Sequence, residues 1–424
     1  MTRTLSTLVA GALLVAACTG SSSTVAISEP EPSPAAASAA QAAPSEEEEE
    51  IQEYPDAIVR RMRRLANEPR PVENSALPPR QLDTEQFPTS LIPRDRIVSG
   101  GPPPDGIPSI DDPVFEPVDE VDWLADEEPV LALRVGDEVR AYPVQVMMWH
   151  EIVNDTVDDT VDGVPVAVTY CPLCNSAVAF DRRVDGRLLE FGTSGALYQS
   201  AMVMYDRQTE SLWTHFDGRA VVGDLVGAQL ELLPVSTVSW SDFRTAHPDA
   251  QVLSRDTGVD RPYGTNPYGA YDQRDEPLIG FFIGDPDTRT AAMRRIVGVN
   301  AGDTSLAIAT DALAEQGVIE TELDDQPVTV WHVPGTASAL NDRQVAEGDD
   351  VGATGVFVAE HDSRELSFTR RGERFVDEQT GSAWNILGEA VDGPLEGARL
   401  DALPHVDTFW FAWATYRPDT TLLD

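Results

Sequence analysis

The stretch "DRQTESLW" (Asp206–Trp213) returns as "DEQTGSAW" (Asp377–Trp384), and that echo decides how the chain is read. The residues downstream of each copy match as well. Gly223, Leu233, Pro234, Trp240 and Pro248 are met in order by Gly393, Leu403, Pro404, Trp410 and Pro418. Upstream, "LALRVGDEVRAYPVQVM" corresponds to "VGVNAGDTSLAIATDAL", and "VPVAVTYCPLCNSAVA" to "QPVTVWHVPGTASALN". Self-similarity of this kind predicts two copies of one folding unit. The copies are placed at 129–258 and 295–424. A linker over 259–294 joins them, with "NPYGAY" inside it read as turn-forming.

Within the first copy, β-branched and aromatic residues dominate between turn signals. "EPVLALRVGDEVRAYPVQVM" reads as two strands around Gly136–Asp137, and further strands come after it with turns at Asp185–Gly186 and Asp217–Gly218. Short helices are expected around Val144 to Val153 and at "SWSDFRTAHP". The fold class is therefore mainly β, a β-rich α+β chain of two tandem homologous modules with short helices.

The N-terminus reads differently. "MTRTLSTLVAGALLVAACTG" has Arg3, a short apolar run and small residues before Cys18. This is the pattern of a lipoprotein signal over 1–17, with cleavage before Cys18 and lipidation of its thiol. An acidic spacer is expected over 18–50 and a Pro-rich region over 51–128, with one short helix at Asp56–Asn67. The expected location is outside the cytoplasmic membrane, anchored to its outer face or the cell envelope through lipid on Cys18.

Composition excludes several functions. Of the chain's 424 residues, 72 are acidic and 30 basic, for a net charge of −42. Such a surface repels phosphate backbones, so no nucleic-acid partner is expected. Every basic residue is arginine; lysine is absent. Schiff-base chemistry and a P-loop lysine are thereby removed, and no nucleotide or PLP site is expected.

The second copy serves as an internal control for the first. Aligned on Pro165 and Pro327, Cys171 falls opposite Val333 and Cys174 opposite Thr336. His150 falls opposite Gln316 and His215 opposite Ile386. Pro172 is kept as Pro334, so the turn belongs to the shared frame and the thiols and imidazoles do not. A Cys-x-x-Cys turn can aim two sulfurs at one metal ion. The expected ligands are Cys171, Cys174, His150 and His215. Met147, Met148, Met202 and Met204 lie near these motifs, and thiolate, thioether and imidazole together favour copper(I) ahead of zinc. A c-type haem needs His after the second cysteine, where Asn175 stands.

Two other readings stay open. Cys171 could be an enzyme nucleophile with His150 as base and Glu151 as a further acid/base candidate. Or the chain is a non-catalytic ligand-binding or scaffold lipoprotein whose Cys171 and Cys174 form a disulfide. A thioredoxin-like dithiol would open a helix, whereas "NSAVAF" continues as a strand. Asn154, Asp155, Ser194, Gly195, Met202 and Met204 are candidate site lining, and a small ligand or a metal is the expected partner.

"HEIVND", "VTYCPLCNSAVAF", "FGTSGALYQSAMVMYDRQTESLW" and "NPYGAY" together resemble the bacterial and archaeal family catalogued as domain of unknown function 3179. The resemblance runs from about Pro129 to the end. Its matching positions are His150, Glu151, Asn154, Asp155, Cys171, Pro172, Ser194, Gly195, Tyr205, Asp206 and Trp213. Family members often carry Thr at the position of Cys174 and Gln at that of His215. The resemblance thus implies that Cys171 with His150 is the shared pair and that a four-ligand site is no family requirement.

Overall fold

A computed structural model describes residues 90–93, 96–157, 163–278, 280–302 and 304–424. The expected signal segment, Cys18, the expected acidic spacer and the helix expected at Asp56–Asn67 lie outside them. The chain is mainly β, and the described residues hold four α-helices of seven residues each: α1 (Val144–His150), α2 (Trp240–Ala246), α3 (Thr310–Gln316) and α4 (Trp410–Tyr416). None of the described helices is long and apolar enough to cross a membrane.

The strands form where the apolar alternation places them. Pro129–Val135 and Glu138–Pro143 pair as a hairpin across Gly136–Asp137, with Val135 opposite Glu138. They belong to a five-stranded sheet with Val235–Ser239 on one side and Gln251–Leu253 and Phe115–Pro117 on the other. A second sheet orders Glu231–Leu233, Ser176–Asp181, Val164–Cys171 and Ile152–Val157. A third orders Ile97–Ser99, Phe191–Tyr198, Ala201–Asp206, Leu212–Thr214 and Ala220–Val222.

Residues 295–424 carry a similar order of elements. Arg295–Ala301 and Thr304–Ala309 pair as a hairpin ahead of α3, and Val318–Leu323, Gln326–Val333 and Ala353–Val358 form the next sheet. His150 and Gln316 each close a helix, and each is succeeded by a left-handed residue, Glu151 at φ 60° and Gly317 at φ 78°. The Asp-x-Gln-Thr-x-Ser-x-Trp runs make the same hydrogen bonds. Asp206 accepts from Thr209 N–H at 2.6 Å, from the Thr209 hydroxyl at 2.8 Å and from the Trp213 indole at 2.9 Å. Asp377 does so with Thr380 and Trp384 at 2.6, 2.8 and 3.0 Å. A buried carboxylate satisfied by three local donors explains why this run is needed twice.

The two halves share one core. Val146, Trp149, Val168 and Phe180 pack in the same cluster as Phe409, Phe411 and Trp413. The 259–294 segment does more than join them, because Tyr271 reaches the turn that carries the cysteines.

Candidate metal centre

The strand Val164–Cys171 runs straight into the turn Pro172–Asn175, and Ser176–Asp181 returns beside it, pairing Cys171 with Ser176. Asn175 adopts φ 51°, which lets the turn close in four residues. Its N–H reaches the Pro172 carbonyl at 3.2 Å. Period-two alternation puts Thr169 on the same strand face as Cys171. Three outside groups then clamp the turn. Tyr271 donates its hydroxyl to the Leu173 carbonyl at 2.8 Å. The Cys174 carbonyl accepts from the Thr408 hydroxyl at 2.7 Å and from Phe409 N–H at 3.2 Å.

Into this rigid turn comes His215, from the turn after strand Leu212–Thr214. Donor atoms of Cys171, Cys174 and His215 lie within 4.8 Å of one another, and all three residues are buried. Both cysteines are free thiols. The Cys171 sulfur accepts the Met202 N–H at 3.4 Å and faces the Ser200 carbonyl at 3.9 Å. The Cys174 sulfur meets the Ser176 hydroxyl at 2.9 Å, and that hydroxyl lies 3.2 Å from His215 Nδ1.

Hydrogen bonding fixes the His215 tautomer. The Thr169 hydroxyl spends its proton on the Val178 carbonyl at 2.7 Å. Toward His215 Nε2, 2.8 Å away, it therefore accepts, so Nε2 carries the proton. Nδ1 keeps its lone pair on the side of Ser176 and Cys174. Burial lowers the His215 pKa to about 3, so the imidazole stays neutral. Burial, with Cys171 beside it, raises the Cys174 pKa well above the usual thiol value. A neutral imidazole whose lone pair faces the thiols, held by a hydrogen bond at its other nitrogen, is the arrangement of a metal-ligating histidine.

His150 is placed elsewhere. Both of its ring nitrogens are engaged, Nδ1 donating to the Pro108 carbonyl at 2.7 Å and Nε2 accepting from the Tyr263 hydroxyl at 2.6 Å. It is absent from the converging group, because α1 ends at His150 and the left-handed Glu151 redirects the chain. Glu151 is half-buried in the wall of a cavity, and its hydrogen bond from the Tyr268 hydroxyl is long, at 3.3 Å. Burial raises its pKa to about 7.

Other expected lining residues serve the frame. Asp155 accepts two bonds of 2.7 Å from Arg140 and one of 2.7 Å from Tyr142. Asn154 bridges to the backbone of Phe191 through both its amide oxygen and nitrogen. Ser194 bonds the Val203 carbonyl and the Ala196 N–H within a bulge of its strand. Gly195 lies in that bulge at φ 73°, and a Cβ there would meet the Pro102 carbonyl oxygen at 1.9 Å. Met147 and Met204 are core residues, while Met148 and Met202 line the cavity.

The sequence reading missed Thr169, Ser176, Tyr268 and Tyr271. Strand alternation about the Cys-x-x-Cys turn was the available signal for Thr169; nothing local pointed to the tyrosines.

The profile of the family described as "Protein of unknown function (DUF3179)" matches residues 104–420. The chain belongs to the DUF3179 family. No curated protein and no solved structure matches it. Kinship within DUF3179 therefore brings no activity with it, and the function has to be argued from the site.

Proposed function

We propose that this DUF3179 protein binds one soft metal ion through the Cys171 and Cys174 sulfurs and His215 Nδ1. The observation that carries this reading is the convergence of those three donors, within 4.8 Å, in a closed interior. With metal–sulfur bonds of about 2.3 Å, donors in such a site stand roughly 4 Å apart, so a contraction of about 1 Å completes it. Three donors suit copper(I), which accepts trigonal coordination, ahead of zinc, whose structural sites take four. Thr169 and Ser176 supply the supporting hydrogen bonds.

The second half strengthens the argument. Where the first half has Thr169, Cys171 and His215, the aligned positions hold Trp331, Val333 and Ile386, packed in one apolar cluster. Opposite Cys174 stands the buried Thr336, so hydrocarbon fills three of the four places, and Thr169, Cys171 and His215 answer to something other than packing. This comparison rests on our further reading that the halves arose by duplication. The nucleophile reading draws less support. His150 is committed to Pro108 and Tyr263, and a His215 pKa of about 3 makes that imidazole too weak a base to hold a thiol proton at neutral pH.

We place the ion-binding body outside the cytoplasmic membrane on a lipid at Cys18. Mass spectrometry of the N-terminal peptide tests that placement. For the metal, the reduced protein is loaded and analysed beside Cys171→Ser/Cys174→Ser. Binding of about one equivalent, lost in the variant, is expected. Equal loading of both proteins refutes the reading.

A further inference from the structure

A buried metal centre needs a route of access. Cys171, Cys174 and His215 have at most 2 % of their surface exposed, so the ion cannot reach them directly from solvent. A cavity of about 430 Å³ reaches Leu173, inside the cysteine turn, and Met202 beside it. Its rim includes Gly101, Pro103 and Gly106, which are exposed, so it opens at the surface. Its inner wall includes Leu173, the residue between the two thiols, and Met202, whose N–H bonds the Cys171 sulfur at 3.4 Å. The cavity therefore ends where the thiols begin.

Its lining carries two soft donors. Of the four methionines near the cysteine motifs, Met148 and Met202 face the cavity, and Met147 and Met204 do not. A thioether is uncharged and polarizable, so it can hold copper(I) weakly without carrying a charge into an apolar space. We propose that the cavity is the metal's route of access and that the Met148 and Met202 thioethers hand the ion to Cys171 and Cys174. This rests on the metal-binding reading. Each step exchanges one soft ligand of copper(I) for another with no change of oxidation state. The two thiol protons leave to water through the same opening.

The test monitors transfer of copper(I) from a coloured chelator to the full-length reduced protein by stopped flow. The variants are Met148→Leu/Met202→Leu, Met147→Leu and Leu197→Trp, the last placing an indole on the cavity wall. Met-to-Leu exchange conserves volume, and the backbone N–H of residue 202 is kept. The double variant should take up the same final equivalent as wild type at a rate lower by about tenfold or more, as should Leu197→Trp, with Met147→Leu at the wild-type rate. An unchanged rate in the double variant, an unchanged rate in Leu197→Trp, or equal slowing in Met147→Leu overturns the proposal. Absence of uptake by wild type instead sinks the metal-binding reading itself.

Discussion

Glu151→Gln should stabilise the protein at alkaline pH and do little at acid pH. Glu151 caps α1 in a left-handed conformation, is half-buried against an apolar cavity, and is supported by one long bond from Tyr268. Burial raises its pKa from 4.5 to about 7. A carboxyl whose folded pKa lies above its unfolded value binds more protons in the folded state. Stability therefore falls as pH rises from 4.5 toward 7, and levels off above. That interval corresponds to about 3 kcal/mol by pH 8, and to under about 1 kcal/mol at pH 5. Glutamine removes the ionisation while its carbonyl can still accept from Tyr268. Urea unfolding of both proteins from pH 5 to 8 reads the difference, because every other titrating group cancels between them. The curves should diverge by about 2 kcal/mol or more across the range. Parallel curves, or a variant that loses ground as pH rises, would refute the burial argument.

The same geometry sets other outcomes. Metal binding must expel the Cys174 proton, so affinity measured by chelator competition should rise about tenfold or more per pH unit between pH 6 and 8. His215, with its pKa near 3, should impose no loss of affinity down to about pH 5. Gly195→Ala forces a Cβ against the Pro102 carbonyl in a left-handed conformation, and should cost about 2 kcal/mol or more by thermal unfolding. Asp206→Ala orphans the Thr209 N–H and the Trp213 indole, and a destabilisation of about 3 kcal/mol is expected from denaturant titration.

Much of the frame could be read in the chain because it depends on local chemistry. The hairpin at Gly136–Asp137, the strand after the cysteine turn and the Asp206 run are each set by residues within a few positions. His150 and Gln316, which the repeat alignment pairs, both end seven-residue helices. The site was less legible. His150 and His215 look alike in sequence, and only packing shows that one ring is tied between Pro108 and Tyr263 while the other meets the thiols. Asp155 reads as a functional carboxylate until Arg140 and Tyr142 close on it. Tyr268 and Tyr271 belong to "NPYGAY", a motif of the family resemblance read as a turn-forming linker, and no period tells which distant group each would contact.

If Thr and Gln commonly replace Cys174 and His215 in the family, the trio is a property of this protein and its near kin. Metal binding should then track those two residues rather than family membership. The central claim reduces to which atoms hold the ion. Extended X-ray absorption at the copper edge of the loaded, reduced protein reads them directly. The account predicts two sulfurs near 2.3 Å and one imidazole nitrogen near 2.0 Å, with the sulfur signal gone in Cys171→Ser/Cys174→Ser, all to within about 0.2 Å. A shell of oxygen and nitrogen alone, or the same sulfur shell in the variant, would contradict it.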